Sequence, residues 1–278
     1  MSKPNAQQIE YWNGAVGARW AKIQDQIDRN MRAITQGFIP FVDAKPRERI
    51  LDIGCGCGTT TLLLSLEVRP GGRVVGIDIS GPMLEVARTR AQTSRADIVF
   101  VEADASIHEF HPIFDAVVSR FGVMFFDDPA AAFANVRKAL VPGGRLAFVC
   151  WRSLPENAWA ATPIEAARNL LPPQEMPDPL APGPFAFANA ARIEHILSAA
   201  GFKSIAIEKF DAMMDMGPTV ESAAREAFQI GPLARASAEL DDGLREKIRA
   251  VVAAAMAQYE TPDGVHAQAA CWFVRAKA

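Results

Sequence analysis

The sequence predicts an α/β fold, a doubly wound, mostly parallel sheet with helical insertions around it. Three observations carry that prediction. From residue 45 onward, apolar runs of four to seven residues alternate with longer segments of helical period. The runs are rich in Val, Ile and Phe and bounded by Gly, Pro or Asp, as in parallel strands covered on both faces. Repeated strand–helix–strand units impose right-handed crossovers, and these wind such a sheet.

The elements follow in order. Arg49–Gly54, Arg73–Ile79, Ile98–Ala103, Phe114–Phe121 and Arg145–Trp151 read as buried strands. Helical patterns lie between them at about Thr59–Glu67, Gly81–Thr93 and Pro129–Leu140. Asp128 suits the N-cap of the third and Pro129 its first turn, and Pro142-Gly143-Gly144 stops it. Lys203–Ala212 and Ala270–Lys277 are later strands, the last expected to run antiparallel. Residues 1–44 read as a helical cap, with Tyr11, Trp12 and Trp20 set among polar residues. Residues 172–184 hold six of the 19 prolines and exclude helix or central strand. Residues 219–258 read as two helices broken at Gly231-Pro232. The division expected is a cap over 1–44 and a sheet domain over 45–278, with lid insertions at 152–185 and 218–264.

Composition narrows the function. With 29 basic and 32 acidic residues the formal charge is −3, which gives no footprint for nucleic acid or an anionic membrane. No apolar run approaches the roughly 18 residues a membrane span needs. The N-terminus is polar and lacks the apolar stretch of a signal peptide. Four cysteines do not make a disulfide framework, so a reducing, cytoplasmic setting is expected.

Ile50–Thr60, ILDIGCGCGTT, is the most informative stretch. A buried strand ends in Asp52, then Gly54, Gly56 and Gly58 alternate before a helix begins. Glycines there let the backbone turn sharply and approach a ligand closely. The spacing is G-x-G-x-G, whereas the dinucleotide fingerprint is G-x-G-x-x-G. The next strand ends in Asp78, 20 residues after Gly58. A carboxylate at that tip can accept both hydroxyls of a ribose. The pair points to a nucleoside ligand without a clear phosphate requirement.

At these residues the sequence resembles the class I S-adenosylmethionine-dependent methyltransferases, in particular the small-molecule branch related to ubiquinone/menaquinone C-methyltransferases. The resemblance runs from about Tyr11 to Trp151. ILDIGCGCG is similar to the family's first motif and Val74–Leu84 to its second. Val101–Ala105, FDAVVSRFGVMFF and LVPGGRLAFV resemble the third, fourth and fifth. It implies a seven-stranded Rossmann-like sheet and S-adenosylmethionine as cofactor. It further implies that Asp52 and Gly54 organise the methionine end, that Gly56 lies against the cofactor and that Asp78 holds the ribose. Ile79 and Met83 would sandwich the adenine, Asp104 and Ala105 read its edge, Ser119 face the methionine portion, and Trp20 cover the cofactor.

Ligands sit outside the carboxyl ends of parallel strands. Arg120, Phe125 and Trp151, with Trp12 from the cap, are therefore the candidates for the acceptor site. Phe121 and Phe126 are assigned to core packing. Of the histidines, His266 is the candidate base, because an antiparallel last strand begins at the ligand face. His108 and His111 fall on the segment returning to the start of the fourth strand, away from it. The cysteines offer no metal set, and no metal is expected. The leading reading is transfer of a methyl group to a small, apolar or aromatic acceptor, without nucleic-acid or membrane partners and with a homodimer left open. The competing readings are a nicotinamide-dependent oxidoreductase and a non-catalytic nucleoside-binding protein.

Overall fold

A computed structural model describes residues 4–92, 97–173 and 178–278. Its strands are β1 (Arg49–Ile53), β2 (Arg73–Asp78), β3 (Ile98–Glu102), β4 (Phe114–Arg120), β5 (Leu140–Trp151), β6 (Lys203–Asp215), β7 (Glu260–Thr261) and β8 (Gly264–Lys277). Seven of them follow the order β3-β2-β1-β4-β5-β8-β6, and the two-residue β7 pairs with β8 off that path. Strands β1 to β5 are parallel, while β8 runs antiparallel to both β5 and β6. The doubly wound, mostly parallel sheet of the sequence reading is present, with β7 as an added piece.

Helices α1 (Ala6–Asn13), α2 (Ala15–Lys22), α3 (Gln24–Asn30) and α4 (Arg32–Val42) precede the sheet. The crossovers are α5 (Thr59–Glu67), α6 (Gly81–Gln92) and α7 (Pro129–Arg137); α8 (Ala158–Ala167) and α9 (Ala190–Ala199) follow β5. Between β6 and β7 lie α10 (Val220–Ala227), α11 (Gly231–Ala236) and α12 (Asp242–Met256).

Paired residues in a sheet share a face. The registers therefore put Asp52, Gly76 and Val118 on one side, with Asp78 and Arg120 two residues further along their strands. Helices α4, α5 and α6 cover that side. Phe38 and Phe41 of α4 pack their rings on Phe273 at 5.8 and 4.9 Å. On the opposite side Phe133 of α7 packs against Phe148, Phe187 and Phe202. The β3-to-β4 connection carries no helix, and its Phe110 and Ile113 cover Leu51, Ile77 and Val101 over a cavity of about 150 Å³. His108 and His111 lie on that connection and line the cavity.

Several boundaries differ from the sequence reading. Asp128 caps α7, accepting from Ala131 N at 3.0 Å, but the helix ends at Arg137 and β5 already starts at Leu140. Extended pairing of Leu140 with Phe114 resumes before the Pro142-Gly143 break. Strand β6 continues to Asp215, so Met213 and Met214 lie inside it rather than after it. As an edge strand, β6 alternates exposed and half-buried residues and shows no continuous apolar run. Residues 219–258 form three helices instead of two. Gly231, at φ 83°, starts one of them, and Asp241 caps the next by accepting from Leu244 N at 3.0 Å. Of the proline-rich segment, 174–177 lie outside the described residues. Part of the predicted cap belongs to the core itself: Ile34 and Phe38 of α4 are fully buried.

Candidate functional site

The tips of β1, β2, β3 and β4 converge on one edge. Gly54 (φ 64°) and Gly122 meet back to back: a Cβ on Gly54 would lie 2.7 Å from the Gly122 Cα. This crossing of the loops after β1 and β4 admits only glycine at Gly54. Ser119 ties the same two loops together. Its Oγ donates to the Ile53 carbonyl at 2.8 Å and accepts from Gly122 N at 3.1 Å. Ser119 is fully buried, so it fixes the loops rather than facing open space.

Gly56 (φ 54°) stands opposite Met83, where a Cβ would lie 3.9 Å from the sulfur. The Gly56 backbone is half-buried, and a Cβ there would make ordinary contact with the Met83 side chain. Asp78 is locked beside it. Its Oδ2 accepts from Gly56 N at 2.7 Å and its Oδ1 from Ser80 N at 2.8 Å. Each carboxylate oxygen retains capacity for another donor. Burial pushes the Asp78 carboxyl above its ordinary value, against the three backbone N–H groups that favour the ionised form.

Asp52 is 1% exposed. Its Oδ2 accepts from Thr61 Oγ1 at 2.6 Å, while its buried Oδ1 has no partner. Burial raises this carboxyl to about 7, and the hydrogen bond from Thr61 opposes the rise. Arg120 reaches the same place from the tip of β4. Its Nε donates to Thr60 Oγ1 at 3.1 Å and its Nη1 lies 3.1 Å from the Met31 sulfur. Burial lowers the guanidinium pKa, and Asp28 and Asp52 act in the opposite direction.

At the β3 tip, Asp104 and Ala105 are buried. Asn5 Nδ2 is shared between the two Asp104 oxygens at 2.9 and 3.0 Å, and Ser106 N donates to Oδ1 at 2.9 Å. Asn5 also exchanges backbone and side-chain bonds with Asp127. Further along, Asn13 Nδ2 donates to the Ile79 carbonyl at 2.7 Å and Ser80 Oγ to the Trp12 carbonyl at 2.7 Å. Helices α1 and α2 are thereby bolted over the β2 and β3 tips. They carry Trp12 and Trp20, and the Trp12 ring meets Trp20 and, from the loop after β4, Phe125 edge to face at 5.4 and 5.3 Å.

The acceptor candidate Trp151 and the candidate base His266 stand differently. Trp151 is 3% exposed, stacked on Phe121 at 4.2 Å and tilted against Trp159 at 4.9 Å, so it belongs to the core. Phe121 and Phe126 are buried with it. His266 lies near the start of the antiparallel β8, half-buried and in register with Asp215, at the ligand edge but beyond the end of β5. Cys55, Cys57, Cys150 and Cys271 are free and buried, and burial raises all four thiols. No group of His, Cys, Asp or Glu among the described residues is set to hold a metal ion.

Sequence reasoning missed Asn5, Met31, Thr60 and Thr61. It also missed the network in which Asp28 accepts from Gln24, Thr59 and Arg90. The run of three threonines opening α5 was a signal for two of them. Nothing local marks Asn5, whose partners lie about 100 residues away.

Comparison with known proteins agrees with this geometry. Residues 50–144 match the methyltransferase domain family. The chain is 39% identical over 116 residues to a demethylmenaquinone methyltransferase of Thermus thermophilus, spanning 41% of this chain and 52% of the relative. It is 31% identical over 148 residues to a ubiquinone/menaquinone biosynthesis C-methyltransferase of Saccharophagus degradans, spanning 52% of this chain and 59% of the relative. The matches thus span little more than half the length of these curated relatives. Among solved structures, phosphoethanolamine N-methyltransferase 2 of Haemonchus contortus, in complex with S-adenosyl-L-methionine, superposes with a TM-score of 0.60 at 19% identity, over 99% of this chain and 60% of that one. The [4+2]-cyclase SpnF superposes at 0.52 with 20% identity, over 88% of this chain and 80% of that one. At such identity these likenesses show the fold, which by itself does not fix the reaction. The fold is Rossmann-like, and residues 50–144 are similar to the methyltransferase domain family. Over about half its length the chain resembles ubiquinone/menaquinone biosynthesis C-methyltransferases.

Proposed function

We propose that this protein binds S-adenosylmethionine across the tips of β1, β2 and β3 and transfers its methyl group to a small, largely apolar or aromatic acceptor. The carrying observation is the Asp78–Gly56 pair. A carboxylate held by the backbone N–H groups of Gly56 and Ser80, with acceptor capacity remaining, suits the hydroxyls of a ribose. Ile79 and Met83 hold the adenine beside Gly56, with Asp104 and Ala105 at its edge. Asp52 and Gly54 stand at the methionine end.

When bound, the cofactor supplies a methyl group that is already electrophilic. What remains for the protein is to align a nucleophile behind that methyl and to exclude water. The bolted α1–α2 cap, with Trp12, Trp20 and Phe125, serves both purposes and supplies apolar rings for an acceptor. His266, at the rim, is the histidine placed to take a proton where the acceptor is a hydroxyl or a carbon acid. No helix among the described residues is long and apolar enough to cross a membrane. Four buried free thiols suit the reducing cytoplasmic setting.

Calorimetry with S-adenosylmethionine, S-adenosylhomocysteine and NAD tests the reading. Binding of the first two and not of NAD is expected. Folded protein that binds neither sulfur nucleoside overturns it.

A further inference from the structure

We infer that Asn30 of α3, oriented by Glu226 of α10, forms the polar end of the methyl-acceptor site and selects an acceptor that bears a hydroxyl. The inference rests on the methyltransferase reading above and deepens it on the acceptor side.

The sheet sets the place. Strand β8 runs antiparallel to both β5 and β6, so β6 ends, at Asp215, on the same edge as the tips of β1 to β4. Helix α3 spans that edge. Its Asp28 accepts from Thr59 Oγ1 at the start of α5 at 2.6 Å, and Met31, just after it, lies 3.1 Å from Arg120 Nη1 at the β4 tip. At the far side Asn30 Nδ2 donates to the Asp215 carbonyl. Asn30 therefore stands over the half of the edge away from β2 and β3, where His266 pairs with Asp215.

Asn30 is 1% exposed. Its Nδ2 donates a second bond, to Glu226 Oε2 at 2.8 Å. Both partners are acceptors only, which fixes the way the amide is turned. Its Oδ1 points away from them, buried and without a partner among the described residues. Glu226 is buried as well, and its charge is already met by Arg29, which also lies 3.6 Å from Asp215 Oδ1. The residues one turn either side of Asn30, Ile27 and Ile34, are buried and apolar. An orphan acceptor set in such a stripe is costly to leave unmade.

Two more buried amide atoms have no partner among the described residues. Gln26 Nε2 lies one turn before Asn30 on α3, and Gln229 Oε1 one turn after Glu226. The unpaired set is thus two acceptors and one donor. An ammonium only donates and an ether only accepts, whereas a hydroxyl does both. With Glu226 already matched by Arg29, an uncharged group also enters this buried place at lower cost than an ion.

The test is ligand-observed NMR on the whole chain saturated with S-adenosylhomocysteine. The probes are phenol, 1-naphthol and 2-naphthol, each paired with the arene that carries a methyl group in place of the hydroxyl. Wild type is expected to bind the hydroxyl member about 5- to 30-fold more tightly, the worth of satisfying a buried acceptor. Asn30→Leu, which keeps the branched shape, should erase that margin and leave the methyl arene bound as in wild type. Glu226→Gln should reduce the margin, because its new amide N–H can fill Asn30 Oδ1. A merely structural role would weaken both members of a pair alike and leave their ratio unmoved.

Parity in every pair in wild type, absence of binding included, would overturn the hydroxyl site, while binding of S-adenosylhomocysteine leaves the methyltransferase reading standing. A margin that survives in Asn30→Leu would also overturn it. Failure of S-adenosylhomocysteine itself to bind would overturn both. The wild-type comparison needs no variant, so a misfolded Asn30→Leu leaves the inference open to refutation.

Discussion

Replacing Asp52 by Asn should make the ligand-free protein more stable at alkaline pH and much worse at binding its cofactor. Burial takes this carboxyl from its ordinary 3.8 to about 7 in the folded chain. The folded state therefore holds a proton that the unfolded state has released over that interval. By linkage, the stability contribution is complete below pH 3.8 and is lost as pH rises through about 7. Each pH unit between the two values is worth about 1.4 kcal/mol, so ionising Asp52 costs the free protein about 4 kcal/mol in all. Asn carries no such charge and keeps the acceptor for Thr61 Oγ1, but its amide N–H groups enter the place where Asp52 Oδ1 has no partner. Leaving them unpaired costs about 1–3 kcal/mol. The net gain at pH 8.5 is then about 1–3 kcal/mol, and it disappears in acid. Urea unfolding of both proteins at pH 5 and 8.5 reads the difference: wild type should lose about 3 kcal/mol more than the variant over that range. Parallel losses in the two proteins would refute the reasoning, because they would show that Asp52 titrates normally. A stability gained where function is lost is the usual mark of a site left electrostatically incomplete for its ligand.

Asp78→Ala should weaken S-adenosylhomocysteine by about 1.5–3 kcal/mol, the worth of charge-assisted hydrogen bonds, and an unchanged dissociation constant would show that the ribose lies elsewhere. Gly54→Ala places a side chain at φ 64° and 2.7 Å from the Gly122 Cα. A destabilisation of at least about 1–3 kcal/mol in thermal unfolding is expected, and a neutral result would mean that the two loops part easily. Asn5→Ala removes the shared donor from Asp104 and the tie to Asp127, so amide hydrogen exchange over residues 5–22 should quicken with little change in the sheet. Unaltered protection there would show that Trp12, Asn13 and Ser80 hold the cap without it.

The central strands and first three crossover helices were legible because their signals are local. A parallel strand buried on both faces must be an unbroken apolar run, and a crossover helix needs caps and a period. Arg49–Ile53, Thr59–Glu67 and the Asp128–Pro129 start of α7 fall where those rules place them. The edge strand β6 was cut short because an edge alternates and shares its apolar content with solvent. The helices α10 to α12 were miscounted because the short α11 offers less than two turns of pattern.

The site divides along the same line. Alternating glycines and an acidic strand tip are properties of consecutive residues, so the sequence alone determined that Gly54, Gly56 and Asp78 stand at the carboxyl ends of β1 and β2. Which side chains meet across that edge depends on registers between strands distant in the chain. Only the tertiary structure decided that Arg120 stands with Asp52 rather than with the aromatic rings, since pairing of β1 with β4 puts both on one face. It also sealed Trp151 between Phe121 and Trp159 and brought Asn5 to Asp104 across about 100 residues. Periodicity reports how a residue faces its own element; the partner it finds is fixed when elements pack.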